Sequence, residues 1–134
     1  MLRSAGTFLC LLTLTLGTRA QENSYRFALD SADERIVISI ETAEPLPCVG
    51  SSIRNQVLWE NDTVTVILSG FVRPSPCLEG FDPARVKVVA GRTTMNKFYL
   101  RFRENDQDDL WKISKETDGF QASPIRSFFT SYKN

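Results

Sequence analysis

Any chemistry done by this chain is done without histidine, since none of its 134 residues is His. That excludes a Ser-His-Asp triad, a Cys-His dyad and a His-ligated zinc site. Carboxylates, hydroxyls, lysines and cysteines remain. The densest cluster is Glu104, Asp106, Asp108 and Asp109, with Asn105 among them. Oxygen ligands at alternate positions suit Ca²⁺, which makes Asp106, Asp108 and Asp109 the candidate ligands. Leu110 follows, however, with no glycine turn and no distal bidentate Glu at the spacing of an EF-hand loop. The expectation is therefore a solvated hairpin tip whose charges discourage edge pairing, and no metal or other cofactor is assigned. Histidine-free catalytic options remain, such as two carboxylates, drawn from Glu79, Asp82 and the 104–109 cluster, or a Ser-Lys dyad. A domain this small has little room for a deep substrate cleft. A non-enzymatic domain is expected, with a carboxylate-based hydrolase as the weakest alternative.

Positive charge suggests a different function. Lys97, Arg101, Arg103 and Lys112 should share the outward face of adjacent strands, with Tyr99 among them. Such a face suits an anionic glycan or a phosphate. The bland reading is pairing with neighbouring acids, each exposed pair contributing under about 1 kcal/mol. Val72-Arg-Pro-Ser-Pro-Cys77-Leu is a proline-stiffened segment. Rigid exposed loops lose little entropy on binding, so Arg73 is the candidate specificity residue of a secreted protease inhibitor; the alternative is a structural crossover. Asn61-Asp62-Thr63 is an N-glycosylation acceptor at an expected turn.

The elements that position these residues alternate with period two. Tyr25, Phe27 and Leu29 form one apolar row, and Ile36, Ile38 and Ile40 another. Val64, Val66 and Leu68 follow, then Val86 and Val88, then Phe98, Leu100 and Phe102, then Trp111 and Ile113. This pattern, rich in β-branched and aromatic residues, predicts half-buried strands. Residues 53–59 and 125–129 are weaker strand candidates. Turn chemistry separates the rows at Asp30–Asp33, Glu60–Asp62, Ala90–Arg92, Glu104–Asp109 and Asp118-Gly119. Pro45, Pro47, Pro74, Pro76 and Pro83 surround Cys48 and Cys77, which predicts extended crossovers there rather than central strands. No helix signal of useful length stands out.

Residues 1–20 read as a secretory signal peptide. Arg3 precedes an apolar run from Phe8 to Leu16, and Thr18-Arg19-Ala20 supplies the small residues a signal peptidase inspects. The run is shorter than the roughly 20 residues a bilayer span needs. Cys10 lies mid-run after Leu9, unlike a lipidated cysteine. The 16 basic and 16 acidic groups of the whole chain lose Arg3 and Arg19 with the leader, which leaves 14 against 16, a net of −2. That balance gives no support to a nucleic-acid partner. Residues 21–134 are then one soluble, secreted or periplasmic domain, expected to be monomeric. Cys48 and Cys77 are the cysteines it keeps. In an oxidising compartment one disulfide is the simplest reading, worth roughly 3–4 kcal/mol for a loop of this length; two buried free thiols are the alternative.

These features predict an all-β, antiparallel two-sheet sandwich of seven or eight strands with one disulfide. The order of an alternating strand, Pro47-Cys48, Val64-Thr-Val-Ile-Leu-Ser-Gly70, Arg73-Pro74, Cys77-Leu78, Phe98-Tyr-Leu-Arg-Phe-Arg103 and Leu110-Trp-Lys-Ile-Ser114 resembles small secreted bacterial proteins of unassigned function. Each of those is a single immunoglobulin-like β-sandwich with one cysteine pair. The resemblance spans most of residues 35–129, although Gly91-Arg-Thr-Thr-Met95 lacks that group's Gly-x-Tyr turn. It implies the fold and no activity. The expected function is a secreted, non-enzymatic domain that binds a protein or glycan partner.

Mass spectrometry of the secreted protein checks the compartment reading. The chain should begin at Gln21 and weigh two hydrogens less than its reduced form. An uncleaved or reduced product would refute it.

Overall fold

The computed structural model describes residues 24–92 and 94–134. The expected leader, its cleavage point and Cys10 lie outside the described residues. Within them the alternating rows become strands. These are β1 (Tyr25–Ala32), β2 (Arg35–Thr42), β3 (Leu46–Val49), β4 (Ser52–Glu60), β5 (Thr63–Val72) and β6 (Leu78–Asp82). Then come β7 (Arg85–Arg92), β8 (Lys97–Glu104), β9 (Gln107–Glu116), β10 (Gly119–Arg126) and β11 (Thr130–Tyr132). No helix occurs among the described residues.

Tight turns close the hairpins. Asp33 and Glu34, at φ 53° and 62°, join β1 to β2 in the left-handed geometry that matches strand twist. Asn61 (φ 52°) starts the β4–β5 turn and Asn105 (φ 51°) the β8–β9 turn. Asn tolerates that region better than most residues. Nine strands form one sheet in the order β10-β9-β8-β5-β4-β7-β2-β1-β11. Two neighbours are parallel over several residues, β5 with β8 and β1 with β11. Between β4 and β7 the sheet narrows to a single parallel bridge, Ser52 with Arg85. The two strands then spread, and the Trp59 indole N–H crosses the gap to donate to the Ala90 carbonyl.

The sheet curls nearly into a barrel. This corrects the expected immunoglobulin-like sandwich of seven or eight strands: the described residues form eleven strands, nine of them in one continuous sheet rather than two packed ones. The proline-rich segments stay out of the main sheet, as expected, but β3 and β6 pair as a separate two-stranded ribbon. The Cys48–Cys77 disulfide ties these segments together, with Cα atoms 5.3 Å apart. Of the expected strand at 125–129, Ile125 and Arg126 form the end of β10, and residues 127–129 are the crossover to β11. That crossover carries the chain from one edge of the sheet to the other and fixes how far the curl closes.

The inward rows are those read from alternation. Ile38, Val64, Val66, Leu100, Phe102 and Ile113 are fully buried. Phe27 on β1 lies 4.8 Å from Phe102 and 5.0 Å from Trp111, ring centre to ring centre. Burying an aliphatic or aromatic side chain of this kind contributes about 1.5–3 kcal/mol.

One fully buried inward side chain is a carboxylate. Asp109 on β9 is completely buried. Its Oδ1 accepts from the Phe128 amide at 2.8 Å. Its Oδ2 accepts from the amides of Phe129 (3.0 Å) and Thr130 (2.9 Å) and from the Thr130 hydroxyl (2.6 Å). The same hydroxyl oxygen accepts from the Trp111 indole at 2.9 Å. The carboxylate thus clasps the crossover, and the Tyr25 amide then donates to the Phe129 carbonyl at 3.0 Å. Asp109→Ala would leave three amides and a hydroxyl without their acceptor and should cost about 3 kcal/mol or more. Thr130→Val should cost about 1–2 kcal/mol, because it strands only the indole N–H and one acceptor contact. Urea unfolding of the two variants checks the order; equal losses would refute it.

Candidate functional site

The acidic turn does not bring its carboxylates together. A two-residue turn at Asn105 and Asp106 draws the rest of the cluster into β8 and β9. Asp109 points inward and is saturated by the clasp. Asp108 points outward and pairs with arginines, while Asp106 is exposed at the tip. This corrects the Ca²⁺ candidate built on these three residues. Among the described residues no group of acidic or sulfur side chains is arranged to hold a metal ion.

The outward face of β8, β9 and β10 does gather charge. Lys97, Tyr99, Arg101 and Arg103 form the outward row of β8, opposite the inward Phe98, Leu100 and Phe102. Strand pairing sets Lys112 beside Tyr99 and Asp108 beside Arg103. Parallel pairing with β5 adds Thr63 beside Tyr99 and Thr65 beside Arg101. Arg101 Nε lies 3.4 Å from Asp108 Oδ1, and Arg126 Nη2 lies 3.7 Å from Asp108 Oδ2. Arg126 Nε also donates to the Asp108 carbonyl at 3.0 Å. One carboxylate therefore serves two guanidinium groups. Lys97, Arg103 and Lys112 are exposed beside them. The outward row of β9 contributes one further acid, Glu116, at its far end. The sequence grouped the basic residues correctly but left out Arg126, which a bulge between Pro124 and Arg126 brings alongside Asp108.

The other candidates are scattered. Arg73 is exposed in the segment between β5 and β6 that ends at the disulfide. Asn61 is exposed at the tip of its hairpin. Glu79 and Asp82 lie on β6, and both Asp82 oxygens accept from Arg85, at 3.1 and 3.0 Å. Of the aromatic residues that would strengthen a binding face if exposed, Tyr25 and Phe129 are buried. Tyr99 is half-buried on the basic face, and Trp59 is 37% exposed.

A cleft that the sequence reading missed opens at the end of the barrel. Its volume is about 920 Å³, and Tyr25, Glu44, Leu46, Ile67, Phe71 and Glu104 are among its walls. The Tyr25 hydroxyl donates to Glu104 Oε2. Four separate segments meet here, so no local motif marks the site. The available signal was parity: Glu104 continues the inward row of Phe98, Leu100 and Phe102, and Tyr25 that of Phe27.

No family model matches the chain, and neither a curated protein nor a solved structure matches it.

Burial raises the Tyr25 pKa well above the ordinary tyrosine value of 10.0, and the hydrogen bond and negative charge of Glu104 raise it further. The folded state therefore favours the neutral phenol. The stability this contributes is complete below about pH 10 and is lost as pH rises beyond it. Tyr25→Phe should lose about 1 kcal/mol at neutral pH and show a shallower decline between pH 9 and 11. Urea midpoints across that range check it; parallel declines would refute the assignment.

Proposed function

We propose that this protein is a secreted, non-enzymatic binding domain that holds an anionic glycan on the outward face of β8, β9 and β10. The observation that carries the reading is charge segregation. That face sets Lys97, Arg101, Arg103, Lys112 and Arg126 against two acids, Asp108 and Glu116. The whole chain has equal numbers of basic and acidic groups. The cations stand on a rigid lattice, with outward residues about 7 Å apart along a strand and about 4.8 Å between strands. A linear polyanion can meet several of them at once without the protein having to order itself. Tyr99, Thr63 and Thr65 add a ring face and hydroxyls among the charges, the groups that sugar hydroxyls use. The histidine-free composition supports a binder over an acid–base catalyst. The Cys48–Cys77 disulfide supports an oxidising compartment. No described helix is long and apolar enough to cross a membrane.

Immobilised heparin should retain the protein at low salt and release it as salt rises. Neutral dextran should not retain it. The Arg103→Ala/Lys112→Ala variant should bind heparin about tenfold more weakly, since it removes two exposed cations and no core contact. Equal retention of that variant, or tighter binding of duplex DNA than of heparin, would overturn the proposal.

A further inference from the structure

We propose that the cleft at the end of the barrel is a second binding site, of opposite charge preference, and that it takes a lysine or arginine side chain presented by a partner protein. Three observations support this.

The first is the charge of the walls. Glu44 and Glu104 line the cleft, and no lysine or arginine is among its lining residues. Among the described residues a cation entering it meets two carboxylates in the walls, while the neighbouring Arg26 is engaged with the Ala43 carbonyl at 2.9 Å. Glu104 is also held in place, because the buried Tyr25 hydroxyl donates to its Oε2. A carboxylate fixed in advance loses little freedom when it takes up a cationic donor.

The second is the apolar lining. Leu46, Ile67, Leu68 and Phe71 also form the walls. Phe71 is 43% exposed, and its ring centre lies 6.5 Å from that of Tyr25. Lysine and arginine have this same composition, an apolar stem that packs and a charged head that needs carboxylates. The Phe71 ring face adds a cation–π surface.

The third observation favours a protein as the source of the cation over a free amine. Leu46, in the cleft wall, begins β3, and β3 leads directly into the β3–β6 ribbon. The ribbon exposes Val49, Leu78 and Phe81, the last at 74%. Val49 and Leu78 are cross-strand partners, and the disulfide holds the ribbon to its neighbouring loop. Exposed apolar side chains beside a charged recess are the arrangement of a protein interface, with apolar contacts around one charged anchor. A small amine would occupy only part of the cleft and leave the ribbon uncovered.

The test uses two capped pentapeptides, acetyl-Gly-Leu-Lys-Phe-Gly-amide and the same peptide with glutamine at its centre. Each is titrated into the ¹⁵N-labelled, oxidised protein. The lysine peptide should give saturable shifts at residues 43–46, 67–71 and 104–105, and at Val49 and Phe81. The glutamine peptide should bind at least about tenfold more weakly. Glu104→Gln, which keeps an acceptor for Tyr25, should weaken the lysine peptide about tenfold, and so should Glu44→Gln. Glu44 is exposed, so the second variant keeps the test valid should the first fold poorly. Absence of saturable shifts, equal binding of the two peptides, or an affinity for butylammonium equal to that for the lysine peptide would each overturn the proposal. The last result would reduce the site to one for small amines. Heparin retention is a separate readout, so a failure here with retention intact counts against the cleft alone.

Discussion

The rest of the structure depends on a buried carboxylate. A nine-stranded sheet twists and curls over its apolar face, and a segment that joins its two edges fixes how far it closes. Here the joining segment is residues 127–129, and Asp109 holds it and the first residue of β11 with bonds to three consecutive amides and one hydroxyl. Those amides turn away from any strand partner, so without an acceptor they would be costly to bury. The carboxylate satisfies them together. It also sets the height at which β11 meets β1, and through β1 the position of Tyr25 and the cleft. An apolar residue at 109 would suit the inward row and fail the crossover.

The two proposed sites follow from this closure in different ways. The basic face needs only the local pairing of β8, β9 and β10, with β5 alongside. The cleft needs β1, β2, β5 and β8 brought to one rim, which happens only when the curl is complete. Their opposite charge comes from strand parity. Along β8 the basic residues fall on odd positions, facing water, and Glu104 falls on an even one, facing inward.

That parity explains what was legible in the sequence. Period two placed Phe27, Ile38, Val66, Leu100, Phe102 and Ile113 inside, and Lys97, Arg101, Arg103 and Lys112 on one face. The failures came where local composition suggested a loop. Four acids within six residues read as a solvated tip, yet a two-residue turn is enough, and parity then sends Asp108 and Asp109 to opposite sides. β10 was obscured because Phe120 and Ala122 are only partly buried and the rest of the strand is exposed. β11 is three residues long, too short for any periodicity. The parallel pairing of β5 with β8 and of β1 with β11 joins distant segments, and nothing local in either partner encodes it.

The β1–β11 pairing has a consequence for when this domain can exist at all. The Ser131 hydroxyl reaches the Tyr25 carbonyl across 106 residues of sequence. A chain delivered amino end first can pair β1 with β2 at once, but the other edge of β1 must wait for β11, the last strand of the domain. Until they arrive, Phe27 has neither Trp111 nor Tyr132 against it. Closure carries the largest loop-ordering cost of these pairings, since so long a segment must be ordered before the contact rewards it. A molecule in which β11 has not yet docked would present an open strand edge beside uncovered aromatic rings, a template for association with another such molecule.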